Sequence, residues 1–226
     1  MILNQLRKKI ISNKNLEKKN ISTVLLWLKK RQNLDKTKVK VIPLKSLKDW
    51  KIKKNGNIYH KSKQFFSIQG VQTKNANNRE VNTWDQPLLF QKHGGILAIF
   101  VREKNNKIEF LLKARREPGD GNGELKLCPS FSATQSNMNL AHGGKKTELS
   151  ELVINSKNII SKTLHYEEGA RFWRKPNKNL LIFLEKKNYH KIKNKNFIWL
   201  NLTQIKKLNL VNGIINPFVK TILFMI

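Results

Sequence analysis

Residues 95–115 read GILAIFVREKNNKIEFLLKAR, and the fold follows from how this stretch is parsed. The apolar run opened by glycine, Gly95–Arg102, is the pattern of a buried strand. Asn105 and Asn106 then make a turn, since asparagine tolerates a left-handed backbone. Lys107–Arg115 returns as the second strand of a β-hairpin. Along it Phe110, Leu112 and Ala114 share one face, while Leu111, Lys113 and Arg115 share the other. The segment after it, Glu117-Pro118-Gly119-Asp120-Gly121-Asn122-Gly123, is loop, because proline and glycine punctuate it.

Outward from the hairpin, Phe65–Val71, Leu125–Thr134, Asn179–Glu185 and Phe197–Leu200 read as strands, with a shorter one at Val39–Pro43. Lys74–Arg79 is a polar loop, and Ser46–Trp50 is a helical turn or a loop. Residues 1–35 read as helical. Leu6, Ile10 and Ile11, then Val24, Leu25, Trp27 and Leu28, recur at helical spacing, and Ser22 is placed to cap the second run. Thr147–Leu164 is compatible with a helix through Leu149, Leu152, Val153, Ile159 and Ile160. Thr203–Leu208 begins another, and Asn216–Ile226 is a last one. Strands with helices on their faces make an α+β domain. No internal repeat interrupts it.

Composition narrows the class. The chain has 226 residues and 39% apolar content, enough for a packed core. No run approaches a membrane span, and Met1–Asn20 lacks the apolar centre of a signal peptide. The lone Cys128 leaves no intrachain disulfide framework and no cysteine metal cluster. A cytoplasmic protein is expected. The formal charge is +30, yet only 8 of the 45 basic residues are Arg. Lys is spread along the whole chain rather than gathered with aromatics, so nucleic acid is not the expected partner. The field still favours encounter with anions.

Four polar clusters exceed what a scaffold needs: REVNTWDQP at 79–87, KARREPG at 113–119, SATQSN at 132–137 running on to His142-Gly143-Gly144, and YEEGARFW at 166–173 reaching Asn177. Each also has a purely structural explanation. Trp84 can be a core aromatic, Lys113 and Arg115 a solvated face, and Glu117-Pro118-Gly119 a turn. Ser136, Asn137 and His142 can be caps, and Glu167 and Glu168 a helix-end pair. Spacing alone supports an anion-binding cleft. Lys and Arg on one strand face can hold a pyrophosphate, Arg by a bidentate fork, and glycine-rich loops free backbone N–H groups for the same purpose.

These strings also carry a resemblance. FFSIQGVQTKNANNREVNTWDQPLL, FLLKARREPGDGN, LCPSFSATQSNMNLAHGG and HYEEGARFWRKPNKNL resemble, in order, four motifs of the sugar-nucleotide (NDP-hexose) 2,3-dehydratase family. Trp27, Ile42–Trp50 and the NLVN at Asn209 fit its ends. The chain departs from the family at Lys113, where Gln is usual, and at Arg115, where Lys is usual. It departs further at Lys126, Cys128, Ser132, Met138 and Tyr166.

The resemblance implies a Nudix-like mixed β-sheet flanked by helices over residues 61–226, with an N-terminal helical and extended region over 1–60. It implies a unit that relatives usually carry twice and this chain carries once. The implied reaction removes water from a nucleoside-diphosphate 4-keto-6-deoxyhexose, typically dTDP-linked, to give a 3,4-diketo-2,6-dideoxy sugar, with no redox cofactor and no obligatory metal. The acid/base candidates are His142 and Glu117, with Glu167 and Glu168 in reserve. Lys113, Arg115 and Arg171 are clamp or enolate-stabilising candidates, Trp84 can stack on the base, and Ser136 and Asn137 can bind the sugar. Gln86, Thr134, Gly143 and Asn177 complete the expected substrate-binding set. A homodimer, or pairing with a second half-length chain, would replace the missing repeat, with Val24, Leu25, Trp27 and Leu28 at the contact. Three rival readings stand beside this one: a non-catalytic sugar-nucleotide binder, a Nudix-type hydrolase and a basic nucleic-acid-binding protein. The hydrolase needs a helix bearing R-E-x-x-E-E, and the nearest string is Glu148-Leu149-Ser150-Glu151.

Overall fold

A computed structural model of the protein describes residues 1–12, 20–120 and 123–226. Part of the N-terminal helical expectation, residues 13–19, and part of the loop, Gly121 and Asn122, lie outside the described residues. The strands are β1 (Trp50–Ile52), β2 (Ile58–His60), β3 (Ser67–Thr73), β4 (Trp84–Phe90), β5 (Gly95–Lys104), β6 (Lys107–Arg115), β7 (Lys126–Pro129) and β8 (Phe131–Thr134). They continue as β9 (Ile159–Tyr166), β10 (Phe172–Trp173), β11 (Pro176–Phe183) and β12 (Phe197–Leu200). The α-helices are α1 (Leu3–Ser12), α2 (Ser22–Leu34), α3 (Gln135–Met138), α4 (Ser150–Ile154), α5 (Leu202–Leu208) and α6 (Pro217–Leu223).

The α+β class holds, and the β5–β6 hairpin is its centre. Asn105 and Asn106 take φ of 50° and 58°, the left-handed pair that a two-residue turn requires. Lys104 faces Lys107 across it. The seven-stranded sheet runs β12-β6-β5-β11-β9, with β7 on β6 and β8 on β5. β11 lies parallel to β5, and β5 is buried on both faces because a core packs on each. Its Leu97, Ile99 and Val101 join Leu6, Val24, Leu28, Ile205 and Val219 in one core. Its Ala98 and Phe100 join Leu111, Phe131 and Val153 in the other. Burying a side chain such as Phe100 stabilises by about 1.5–3 kcal/mol.

A second sheet runs β1-β2-β3-β4-β10. The chain passes between the sheets at two neighbouring crossings, from β4 through Gln91–Gly94 into β5, and from β10 through Arg174 and Lys175 into β11. They press together at Gly94, where a Cβ would stand 1.5 Å from the Pro176 carbonyl oxygen. Only glycine fits that approach.

Several expectations change. Val39–Pro43 is not a strand: among the described residues no strand pairs with it, and Val41 is 95% exposed. Thr147–Leu164 is helical only at α4, and Ile159 and Ile160 open β9 instead. Branched Ile and Thr side chains suit a pleated surface, and β11 supplies the partner. Leu125–Thr134 is two strands, broken at Ser130. Ser22 opens α2 without capping it. The cap is Ile21, and the Ser22 N–H goes to Asn20 Oδ1 at 2.8 Å. Val24 and Leu28, expected at an assembly contact, are 3% and 5% exposed and belong to the core.

Candidate active site

The break at Ser130 makes the cleft. β5 and β6 pair at Val101–Lys104 and Lys107–Phe110, then diverge. Beyond that point β6 takes β7 as its partner and β5 takes β8. Ser130 sits at the fork, its hydroxyl donating to the Ala98 carbonyl oxygen and accepting from the Phe100 N–H. Arg115 on the β7 side reaches across to Ser132 Oγ on β8 at 3.4 Å. Its guanidinium also pairs with Glu117. Arg115 Nε is buried with no hydrogen-bond partner among the described residues.

Neighbouring charges are engaged in the same way. Lys113 pairs with Glu148 at 2.5 Å, and Asn194 donates to the other Glu148 oxygen at 2.7 Å. These bonds hold the Glu148 carboxyl below its ordinary range, although burial opposes them. Lys126 pairs with Asp120 at 2.6 Å. A cavity of about 320 Å³ opens beside Lys113 and Arg115 and is lined also by Leu34 and Asp35. Cys128 is fully buried near this group, and burial pushes its thiol up to about 11.

A second group lies where β5 starts. Gly95 pairs with Thr134 on β8, two residues from Ser132, so the two groups share a strand. The Gly95 N–H donates to Asn177 Oδ1 at 2.9 Å, and Asn177 Nδ2 donates to Glu167 Oε1 at 2.7 Å. Lys175 Nζ reaches the same Glu167 oxygen at 3.2 Å. Asn177 is 5% exposed and Lys175 8%, so Glu167 is held from two sides by buried donors. Oε2 takes part in neither bond. Thr134 Oγ1 meets Ser136 Oγ at 2.8 Å and accepts the Asn137 N–H, capping α3.

The remaining expected residues spread outward. Trp84 Nε1 donates to Gln86 Oε1 at 2.8 Å, and Gln86 Nε2 donates to the Ala170 carbonyl at 2.6 Å. This ties the first motif to the fourth. Glu168 and Arg171 form an exposed ion pair at 3.2 Å. His142 is exposed, and its Nδ1 accepts the Gly144 N–H at 2.8 Å. A neutral ring then carries its proton on Nε2. Gly143 takes φ of +67° in that turn.

The structure therefore joins Glu167 with Asn177, Arg115 with Glu117, Thr134 with Ser136, and Trp84 with Gln86. Among the described residues it gives no contact from His142 to Glu117, and Glu168 turns to Arg171 rather than to Asn177. Sequence reasoning passed over Lys175 and Ser130, and considered Glu148 only as part of a hydrolase metal box. Lys175 was legible in one respect: it stands two residues before Asn177, on the same face of an extended chain. Among the described residues no three His, Cys, Asp or Glu side chains converge as a metal-binding group.

The model of the NDP-hexose 2,3-dehydratase family matches residues 21–226. A dTDP-4-dehydro-6-deoxy-α-D-glucopyranose 2,3-dehydratase from Amycolatopsis orientalis is 32% identical over 166 residues, covering 70% of this chain and 35% of the relative. A protein of that name from Saccharopolyspora spinosa is 30% identical over 200 residues, 87% of this chain and 40% of its own length. A third, from Streptomyces violaceoruber, is 25% identical over 185 residues, 80% of this chain and 40% of the relative. The chain thus spans well under half the length of the curated relatives it matches. Matched by the family model from residue 21 to residue 226, the chain belongs to the NDP-hexose 2,3-dehydratase family.

Proposed function

We propose that this chain is a hydro-lyase unit that removes water from a dTDP-linked 4-keto-6-deoxyhexose, giving the 3,4-diketo-2,6-dideoxy sugar of deoxysugar biosynthesis. The observation that carries the reading is one carboxylate fixed by buried donors: Asn177 and Lys175 hold Glu167, and Gly95, whose N–H Asn177 accepts, pairs with Thr134 of the third motif. A Nudix-related ancestry suits the forked sheet, but hydrolase chemistry does not suit α4. That helix is five residues long, Glu151 pairs with Lys146, and Glu148 lies outside it, paired with Lys113.

The chemistry is a β-elimination. The 4-carbonyl acidifies the hydrogen on carbon 3. Glu167 is the carboxylate best fixed to remove it, with Oε1 anchored and Oε2 facing neither anchor. The electron pair forms an enolate, which expels the 2-oxygen. That oxygen takes a proton from His142 as the imidazolium, whose ring is left neutral, and departs as water. The enol left on carbon 3 passes its hydroxyl proton to solvent and gains one at carbon 2, so no oxidant is consumed. A positioned acid or base contributes roughly 10²–10⁴-fold. Arg115 stabilises developing oxyanion charge through its guanidinium, and Glu117 orients it. Ser136, Asn137, Gly143, Gln86 and Trp84 border the sugar; Lys113 and Arg171 attract the anionic substrate.

We further propose a cytoplasmic homodimer. Exposed apolar residues gather on the α1, α5 and α6 side, where Ile11 is 74% and Phe224 93% exposed beside a groove of about 750 Å³. A surface of that kind is rarely left uncovered. Incubation with dTDP-4-keto-6-deoxyglucose tests the reaction: loss of one water by mass supports it, and unchanged substrate refutes it. Light scattering tests the assembly: a monomer mass at full activity removes the dimer.

A further inference from the structure

A separate cleft of about 510 Å³ lies on the small sheet, next to the two crossings. Tyr59, Phe65, Phe90 and Trp173 supply aromatic walls. Lys53, Lys63, Lys92 and Arg174 supply cations, and no acidic residue lines it among the described residues. A pocket of single-sign charge with apolar walls focuses the field on an anion. Its volume falls within the range of small-ligand sites, roughly 300–1,000 Å³.

The walls are built for a flat ring beside phosphate. Trp173 stacks on Phe90 with centroids 5.4 Å apart and planes 21° apart, and it stays 39% exposed. The Arg174 guanidinium lies 4.8 Å from the Trp173 ring, and Lys53 Nζ lies 5.3 Å from the Tyr59 ring. Exposed cation–π contacts are weak, so a nucleobase can displace the cation and leave it to meet phosphate. Two of the four cations, Lys63 and Arg174, sit at φ of 56° and 45°. Side chains bearing a Cβ adopt that backbone rarely, and such outliers gather at ligand sites.

Position links this cleft to the sugar site. Lys92 is three residues from Gly95, and Trp173 four from Asn177. Chain spans of that size reach at most about 14 Å, the scale of an extended sugar nucleotide. We propose that this cleft holds the nucleobase and diphosphate of the substrate, with Trp173 as the stacking ring and Arg174 and Lys92 on the phosphates. Trp84, the ring expected from sequence to stack, is not among the cleft's walls. The proposal rests on the dehydratase reading for the sugar end.

The test titrates dTDP without a sugar into the full chain, by calorimetry and tryptophan fluorescence. Trp173→Ala should weaken dTDP binding on the order of tenfold or more, as loss of one stacked base does, with Trp173→Phe restoring most of it. Lys92→Ala, on an exposed loop with no core contact, should weaken dTDP more than thymidine. If Trp173→Ala and Lys92→Ala both bind dTDP as the parent does, or the parent does not bind it, the subsite is overturned. The dehydratase reading is then judged separately by water loss in the parent chain. If oligo(dT) binds far more tightly than dTDP, the cleft serves single-stranded nucleic acid and the proposal also fails.

Discussion

Replacing Asn177 with alanine removes two hydrogen bonds at once. The buried Gly95 N–H loses its 2.9 Å acceptor, and Glu167 loses its 2.7 Å amide donor. A buried backbone amide left unpaired costs about 1–3 kcal/mol, and a bond to a charged group is worth about 1.5–3 kcal/mol. Glu167 keeps Lys175, and its side chain is 13% exposed, so water recovers part of the second loss. A net cost of about 2–4 kcal/mol follows. In a domain of this size each kcal/mol lowers Tm by roughly 2–4 °C, so melting followed by circular dichroism should fall by about 5–15 °C. Turnover should fall as well, because Glu167 loses one of its two anchors. Asn177→Asp separates the two bonds. It keeps an acceptor for Gly95 but sets a second carboxyl against Glu167 Oε1. Like charges at that distance raise one carboxyl's pKa above its unfolded value. The protonated form is then favoured by the fold, so the deficit should be largest near pH 7 and shrink as pH falls toward 5. A Tm within about 2 °C of the parent for Asn177→Ala would refute the bridge. A full Tm loss with unchanged kcat would leave Asn177 as scaffold and remove Glu167 from the chemistry.

Other outcomes are as specific. Glu167→Gln and His142→Asn should each lower kcat by about 10²-fold or more with the melting curve of His142→Asn unmoved, since that ring is exposed; near-normal turnover in steady-state kinetics would strike the residue from the mechanism. Cys128, fully buried with its thiol pushed up to about 11, should resist thiol reagents at pH 8 in the native chain and react on unfolding; fast native labelling would contradict its placement. Asp35 is held at about 2 by the Thr37 hydroxyl first and by Arg116, so its stabilisation is present above about pH 4 and is lost as pH falls toward 2. Asp35→Asn should flatten the acid limb of the stability curve over that window, and an unchanged limb would show that the Asp35–Arg116 bond contributes nothing. Gly94→Ala should prevent the native fold, because the added methyl meets the Pro176 carbonyl; a normal melting curve would mean the two crossings do not touch.

What the sequence determined alone is what neighbouring residues decide among themselves. Alternation along Lys107–Arg115, with Asn105 and Asn106 before it, specified the hairpin and the faces that Phe110 and Arg115 occupy. Asn201 and Gln204 form a capping box that starts α5, and Asn216 with Pro217 starts α6. The motif strings, being contiguous, were readable too. Tertiary structure decided what depends on a distant partner. Ile159 and Ile160 fit either a helix or a strand by local pattern, and pairing with β11 chose the strand. Val39–Pro43 has strand-like residues but found no edge to join. Ser130 breaks a continuous run because β5 and β6 each needed a different partner beyond the fork. Asn177 bonds directly to Glu167, ten residues away, but its other partner is the Gly95 N–H, 82 residues away, and no local signal marks a buried amide that needs an acceptor. Burial made that bond costly to leave unmade, and burial belongs to the whole fold.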